Sequence, residues 1–373
     1  MNRTNILSNS YYIWWKNIDK VILTLIGILI FLVIFFSLVS TSLIASTKLG
    51  TNSYYFFLRH LIFIFMGITL ILFFSVINES YLYRISLILF FIFFVSLILV
   101  QFFGVEVKGS KRWLDVTLLP RFQPIEFLKP FFVVIISFII TYKNNTYNYL
   151  NFFLSFLLIS PIIFLLIMQP DIGQTILISL VWLVIIFVSG INFFIFNFFI
   201  LVAASSLISL IYFIPKFSYI KNRLISFVDA SPRGNYQSEK ASEAIINGGF
   251  FGKGIGEGTL NARVPEAHTD YVISVISEEF GIIFIIFIML IFLALAFRIF
   301  KKVSLEENNC KKLILVGSMF MILLQVVVHV GVNIRLLPTT GMTLPFLSYG
   351  GSSILSTSIL SGIILNFTKR KIY

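Results

Sequence analysis

Runs of about twenty apolar residues recur along the whole chain, each long enough to cross a hydrocarbon layer as one helix. Inside lipid, backbone polar groups must be satisfied within the segment, so such runs read as spanning helices. They lie near residues 21–44, 55–77, 81–103, 127–142, 149–168, 172–190, 192–214, 280–300, 313–335 and 350–367, with Pro130, Pro161 and Pro170 punctuating the fourth to sixth. Composition agrees: 58% of residues are hydrophobic and 12% charged, against about 25% charged in soluble domains. The predicted fold class is an all-α polytopic membrane protein of about ten transmembrane helices. It forms a single membrane domain, 1–373, with a large extracytoplasmic loop, 215–279, between the seventh and eighth helices. The first run exceeds the apolar core of a cleavable signal, about 7–15 residues, and reads as a retained anchor.

Orientation follows from the basic residues. Lys16 and Lys20 precede the first run, Arg298, Lys301, Lys302, Lys311 and Lys312 fill the link between the eighth and ninth, and Lys369 and Arg370 follow the last. An even number of spans puts all three regions on one side, which the excess of Lys and Arg marks as cytoplasmic. The N-terminal segment 1–20 and the C-terminus are then cytoplasmic, and the lone Cys310 faces a reducing compartment. The formal charge of +12 is accounted for by these flanks, and nucleic acid is not an expected partner. The other side carries two long basic segments, 104–126 and 215–279, which fit an anionic ligand such as a lipid head group, or simply a solvated loop.

The polar stretches beside the spans carry the remaining information. VPEAHTDYVISVISEEFG, Val264 to Gly281, crowds Glu266, His268, Asp270, Glu278 and Glu279 before a long apolar run. Glu266 shares a face with Asp270 if the stretch is helical, His268 reaches a phosphate or caps a turn, and Glu278 and Glu279 favour a helix start. Glu126 and Lys129, three apart at the start of the fourth span, share one face, either facing a cavity or closing a helix-end salt bridge. Asp171 in QPDIGQT stands at an N-cap. Ser318, Gln325, His329 and Asn333 form one stripe on the ninth span, facing the bundle interior or bonding neighbouring helices. LLPTTGMTLPFLSYGGSS cannot be a plain helix. Its Gly350 to Ser353 run opens the last span, where free N–H groups bind phosphate or the glycines allow close packing. GKGIGEG lacks the preceding strand that a dinucleotide loop needs, and is expected to pack its backbone close to another segment.

Together KRWLDV…RFQPIEFLKP, QPDIGQT, NGGFFGKGIGEG, PEAHTDYVISVISEEFG and NIRLLPTTGMTLPFLSYGGSS occur in the order seen in the SEDS family (shape, elongation, division and sporulation proteins), which the chain resembles over essentially its whole length. YQSEKASEAIINGGFFGKGIGEG and PTTGMTLPF look more like the FtsW branch than the RodA branch. Ile125 stands where Ser is usual and Val264 where Leu is usual, and neither change touches an ionisable group.

The resemblance implies a peptidoglycan glycosyltransferase that polymerises lipid II outside the cytoplasmic membrane, at the septum if the division role applies. It implies Asp270 as the essential acid, and Glu126 and Lys129 as matches to the family's Glu and Lys. It also implies a class B penicillin-binding protein, a transpeptidase, and other division proteins as partners. A carboxylate at the membrane edge suits the general base that a sugar hydroxyl needs. Positive charge suits the leaving pyrophosphate, with Arg112, Arg121 and Lys129 as candidates on one segment and Arg223, Lys253, Arg263 and Arg335 on others. Glu266, His268, Asn333 and Ser352 complete the candidate substrate and pyrophosphate contacts. A divalent cation, Mg or Mn, could share that task, although no dense ligand cluster demands one. Two rival classes stay open: a flippase for the lipid-linked precursor, and a noncatalytic scaffold of the division machinery.

Overall fold

The computed structural model describes residues 12–41, 53–107, 110–116, 119–142, 149–213, 221–222, 225, 227, 232–260 and 263–370. Eleven helices are followed in chain order: α1 Lys20–Phe36, α2 Ser53–Val76, α3 Glu79–Phe103, α4 Pro124–Ile140, α5 Tyr149–Met168, α6 Ile172–Val188, α7 Phe193–Phe213, α8 Pro232–Gly248, α9 Val272–Leu305, α10 Asn309–Asn333 and α11 Gly351–Phe367. Among the described residues six helices are long and apolar enough to cross a membrane, and shorter apolar helices occupy 172–188, 193–202 and 351–367. The molecule is a mostly helical, multi-pass membrane protein.

Residue chemistry sets the helix starts. Asp19 accepts from the N–H groups of Val21 and Ile22 at the head of α1. Asn78, Asp171 and Asn308 cap α3, α6 and α10 in the same way, each satisfying a donor that the first turn strands. Prolines do not end α4 and α5, because nearby serines take the carbonyl each proline leaves unbonded. Pro130 has no N–H for the Glu126 carbonyl, which instead accepts the Ser356 hydroxyl at 2.6 Å. Pro161 leaves the Leu157 carbonyl, which accepts from Ser160 at 3.2 Å.

α4, α10 and α11 form the centre. α11 is buried from Ser352 to Phe367 and packs against α2 and α4, while α10 contacts α6, α9 and α4. α4, α10 and α11 carry buried polar side chains, among them Glu126, Lys129, Gln325, His329 and Ser356, which belong inside a membrane bundle, whereas α2, α3 and α9 keep wide exposed apolar faces, as lipid-facing helices do.

The all-α expectation needs a correction. The segment before α4 is a three-stranded antiparallel meander of β1 Val105–Val107, β2 Ser110–Val116 and β3 Leu119–Phe122, with Val107 opposite Ser110 and Leu114 opposite Phe122. Its strands are too short for a periodicity signal beside the apolar runs. The segment 215–279 also holds ordered helix: α8 lies within it, and the first part of α9, from Val272, precedes the break at Gly281 after which the long apolar helix runs.

α9 is two helices joined at Gly281, whose φ of 82° no helix accommodates. The NGGFFGKGIGEG loop closes the gap. Lys253 and Gly254 donate to the Glu278 and Glu279 carbonyls at 2.9 and 3.1 Å, and Ile282 donates back to the Gly249 carbonyl at 3.0 Å. A Cβ on Gly248, Gly252 or Gly281 would run into the opposing backbone, which is the close approach that the glycine spacing predicted.

Candidate functional site

About 33 Å of α10, at 1.5 Å per residue, separates Lys311 from Asn333, close to the roughly 30 Å of a hydrocarbon core. At the Asn333 end a cavity of about 330 Å³ opens, lined by residues of β2, α4, the turn before α9, and the 339–353 segment. Arg112, Glu126, Glu266, Asp270 and Ser352 all reach it. The opposite end carries Asp19, bonded by Arg298 at 2.8 Å and Lys302 at 3.0 Å.

Asp270 sits in a turn whose backbone is fixed at three consecutive carbonyls. His268 O accepts from Tyr349 N at 2.9 Å, Thr269 O from the Ser348 hydroxyl at 2.7 Å, and Asp270 O from Asn333 Nδ2 at 3.2 Å. Ser348 in turn accepts from Leu344 N at 2.7 Å. The turn that carries the carboxylate is thereby tied to two distant segments through its backbone carbonyls. Glu266 does not share a helical face with Asp270, because residues 265–271 form turns and Glu266 has φ 54°. Its carbonyl accepts the N–H groups of Thr269 and Asp270, and its carboxylate the Thr269 hydroxyl at 3.2 Å. The turn still brings both acids to the cavity.

Gly341, at φ 70°, lies beside both the acid and a cation. A Cβ there would lie 3.6 Å from Asp270 Oδ2 and 3.8 Å from Arg112 Nη1. Arg112 is held from behind, its Nε donating to the Gln169 carbonyl at 3.3 Å and its Nη2 to that of Pro170. Asp171, 3.7 Å from Nη1, caps α6, accepts from Gln123 Nε2 at 2.9 Å and is buried. Burial pushes its carboxyl up from the ordinary range, and the Arg112 charge partly offsets that.

A buried polar network lies beneath the cavity. Lys129 and Glu126 form an ion pair at 2.7 Å, Gln174 Nε2 donates to Glu126 at 2.6 Å and Lys129 to Gln325 Oε1 at 3.4 Å. Gln325 and His329 bond the carbonyls of Thr343 and Met342, so this part of the α10 stripe braces the 336–350 segment, while Gln325 also bonds Lys129 of α4 as a helix–helix contact. Lys129 supports the site from below and does not line it. Ser352 accepts from Gln123 N at 3.1 Å, while Gly351 packs against the Phe63 ring with no room for a Cβ.

The other sequence candidates lie around this centre. Arg121 is exposed and paired with Asp115 at 2.7 Å. It edges a second, almost wholly apolar groove of about 420 Å³ between α2, α3 and α4, which shares Ser352 with the cavity. His268 turns toward the Tyr349 ring, with centroids 5.9 Å apart. Arg263, Arg335 and Lys253 are exposed and absent from the lining, and Arg223 lies outside the residues the structure describes. Glu278 and Glu279 are not in the first turn of α9. Both are buried, and Glu278 accepts from Asn247 Nδ2 and Leu260 N at 2.8 and 2.9 Å, anchoring the glycine loop. Among the described residues no three His, Cys, Asp or Glu side chains converge as metal ligands.

Sequence reading missed Ser348, Gly341, Gln174 and Tyr349. The only available signal was their membership in motifs already singled out.

An acid and a cation lining one cavity at one end of a helical membrane bundle, beside an almost wholly apolar groove, define a multi-pass membrane protein with a charged cavity at one boundary. The family profile of the FtsW/RodA/SpoVE cell cycle proteins matches residues 20–372. The chain is 30% identical over 362 residues to the probable peptidoglycan glycosyltransferase FtsW of Caulobacter vibrioides, covering 96% of this chain and 91% of the relative. It is 34% identical over 339 residues to that of Coxiella burnetii, covering 87% and 90%. Two solved structures share the fold at 23% identity. One is a chain of a peptidoglycan synthase complex that coordinates polymerization and crosslinking, with TM-score 0.76, covering 94% of this chain and 97% of that one. The other is the rod shape determining protein RodA of Thermus thermophilus, with TM-score 0.67, covering 94% and 96%. This chain belongs to the FtsW/RodA/SpoVE family, the SEDS proteins that its motifs resemble.

Proposed function

We propose that the chain is a peptidoglycan glycosyltransferase of the division machinery, joining lipid II units at the cavity that holds Asp270. The observation that carries this is that the Asp270 carboxylate and the Arg112 guanidinium both line one cavity and both approach Gly341, within 4 Å of where a Cβ there would stand. The 4-hydroxyl of one GlcNAc attacks the anomeric carbon of MurNAc on a second lipid-linked unit. Asp270 takes the hydroxyl proton as the new C–O bond forms. The bond to undecaprenyl pyrophosphate breaks, and Arg112 meets the charge developing on that leaving group. Glu266 and Ser352 line the same space and contact the sugar–pyrophosphate head, and Arg121 meets it from the groove's edge. The Glu126–Lys129 pair holds the floor. The prenyl chain lies in the apolar groove, whose shared Ser352 joins tail and head.

The cavity faces outward, the Asp19–Arg298 end faces the cytoplasm, and both termini are cytoplasmic by the distribution of Lys and Arg. The chain then crosses the bilayer ten times as a single domain, with 215–279 outside. A class B transpeptidase accompanies it at the septum, a reading supported by the fold shared with a chain of a peptidoglycan synthase complex.

The test is glycan polymer on a gel from purified protein, its class B partner and labelled lipid II, comparing wild type with Asp270→Asn. Polymer from wild type alone supports the assignment. Polymer from both removes Asp270 as the base. Polymer from neither, with the complex intact, returns the question to flipping or scaffolding.

A further inference from the structure

Phe250 and Phe251 stand at the tip of the glycine loop, 71% and 84% exposed. Two large apolar side chains left open on a stiff loop need an apolar neighbour. The loop is stiff because its backbone completes the broken helix: besides the bonds already given, Ile283 donates to the Phe250 carbonyl at 3.4 Å.

That connection fixes the depth of the pair. About 26 Å of helix, at 1.5 Å per residue, separates Gly281 from Arg298, close to the thickness of a hydrocarbon core, roughly 30 Å. Phe250 and Phe251 are bonded beside Gly281 and therefore lie at the membrane boundary on the cavity's side. Below them Ile283, Ile286, Leu290, Leu293 and Phe297 form an exposed apolar stripe along α9, and the two rings extend it upward. Lys253, exposed, follows two residues after Phe251, and a lysine at a membrane boundary extends its ammonium toward headgroup phosphates.

We propose that Phe250 and Phe251 form a wedge inserted into the lipid leaflet on the cavity's side, with Lys253 on the headgroup phosphates. The wedge sets the depth of the Gly281 break and of the turn that carries Asp270. Its occupant is the bilayer itself, and the inference stands whether or not the catalytic assignment does.

A nitroxide at position 251 tests it. The label is placed by Phe251→Cys in a Cys310→Ser background, since Cys310 is the lone cysteine. The full chain is reconstituted in phosphatidylethanolamine–phosphatidylglycerol vesicles, with Glu257→Cys as the control in the same loop. The ratio of oxygen to water-soluble nickel-chelate accessibility should be several-fold higher at 251 than at 257. Equal ratios would overturn the proposal. So would shielding of the label from both reagents, which marks a protein neighbour in place of lipid. If Phe251→Cys does not fold, Phe250→Cys reads the same boundary.

Discussion

The Ser348 hydroxyl donates to the carbonyl of Thr269 at 2.7 Å, tying the residue before the candidate base to a segment that follows α10. It supports Asp270 without touching the cavity, since Ser348 is 1% exposed and absent from its lining.

Ser348→Ala removes that bond and the acceptor for Leu344 N. One such bond is worth about 1 kcal/mol, so the fold should persist. Because the loss falls on orientation of the base, kcat should drop about tenfold with KM for lipid II nearly unchanged, and Ser348→Thr should restore much of the rate. A fall in thermal stability with normal kcat would reduce Ser348 to a structural role.

Gly341→Ala places a methyl against both Asp270 and Arg112 and forces a non-glycine residue to φ 70°. The backbone strain alone costs about 1–3 kcal/mol. Polymerisation should fall by more than about tenfold while the protein still inserts and purifies as a monodisperse species, read by gel filtration beside the polymer assay.

Lys129→Ala leaves the Glu126 carboxylate buried beside Gln174 without its cation. Breaking a buried pair from one side costs about 3–5 kcal/mol, so a large fall in melting temperature in detergent is expected. Glu126→Gln combined with Lys129→Met should recover most of it. Equal melting of the single and double variants would show that the pair is not coupled.

Ser356→Ala strands the Glu126 carbonyl that Pro130 cannot bond. An unsatisfied buried acceptor costs about 1–3 kcal/mol. Pro130→Ala supplies the missing N–H, so Ser356→Ala should cost little in that background. Additive effects in the double-mutant cycle would contradict this account.

Asp19 supplies a pH dependence. Burial pushes its carboxyl up, but hydrogen bonds from Arg298, Lys302 and the Ile22 N–H outweigh that, and it falls from an ordinary 3.8 to about 2. A depressed acid stabilises the fold above its unfolded value and loses that contribution as pH falls through the folded one. Melting temperature should therefore decline between about pH 4 and pH 2, and Asp19→Asn should be less stable at pH 7 with a shallower acid limb.

The spans were legible because an apolar run long enough to cross lipid has few alternatives. The caps at Asp171 and the Glu126–Lys129 spacing were legible because helix geometry is local. The three-stranded meander was not, since strands this short carry almost no periodicity. Glu278 was misplaced for a related reason: its partners Asn247 and Leu260 belong to a loop whose packing no local pattern encodes.

By itself the sequence determined a helical membrane protein and the family. Each of these is written in composition, in 3.6-residue periodicity or in short motifs. Tertiary structure alone decided that Asp270 and Arg112 both come up against Gly341, that Ser348 and Asn333 hold the backbone of Thr269 and Asp270, and that the glycine loop repairs the break at Gly281. Those contacts join residues up to hundreds of positions apart, and they form only when apolar helix faces pack and leave buried polar groups with no partner but one another.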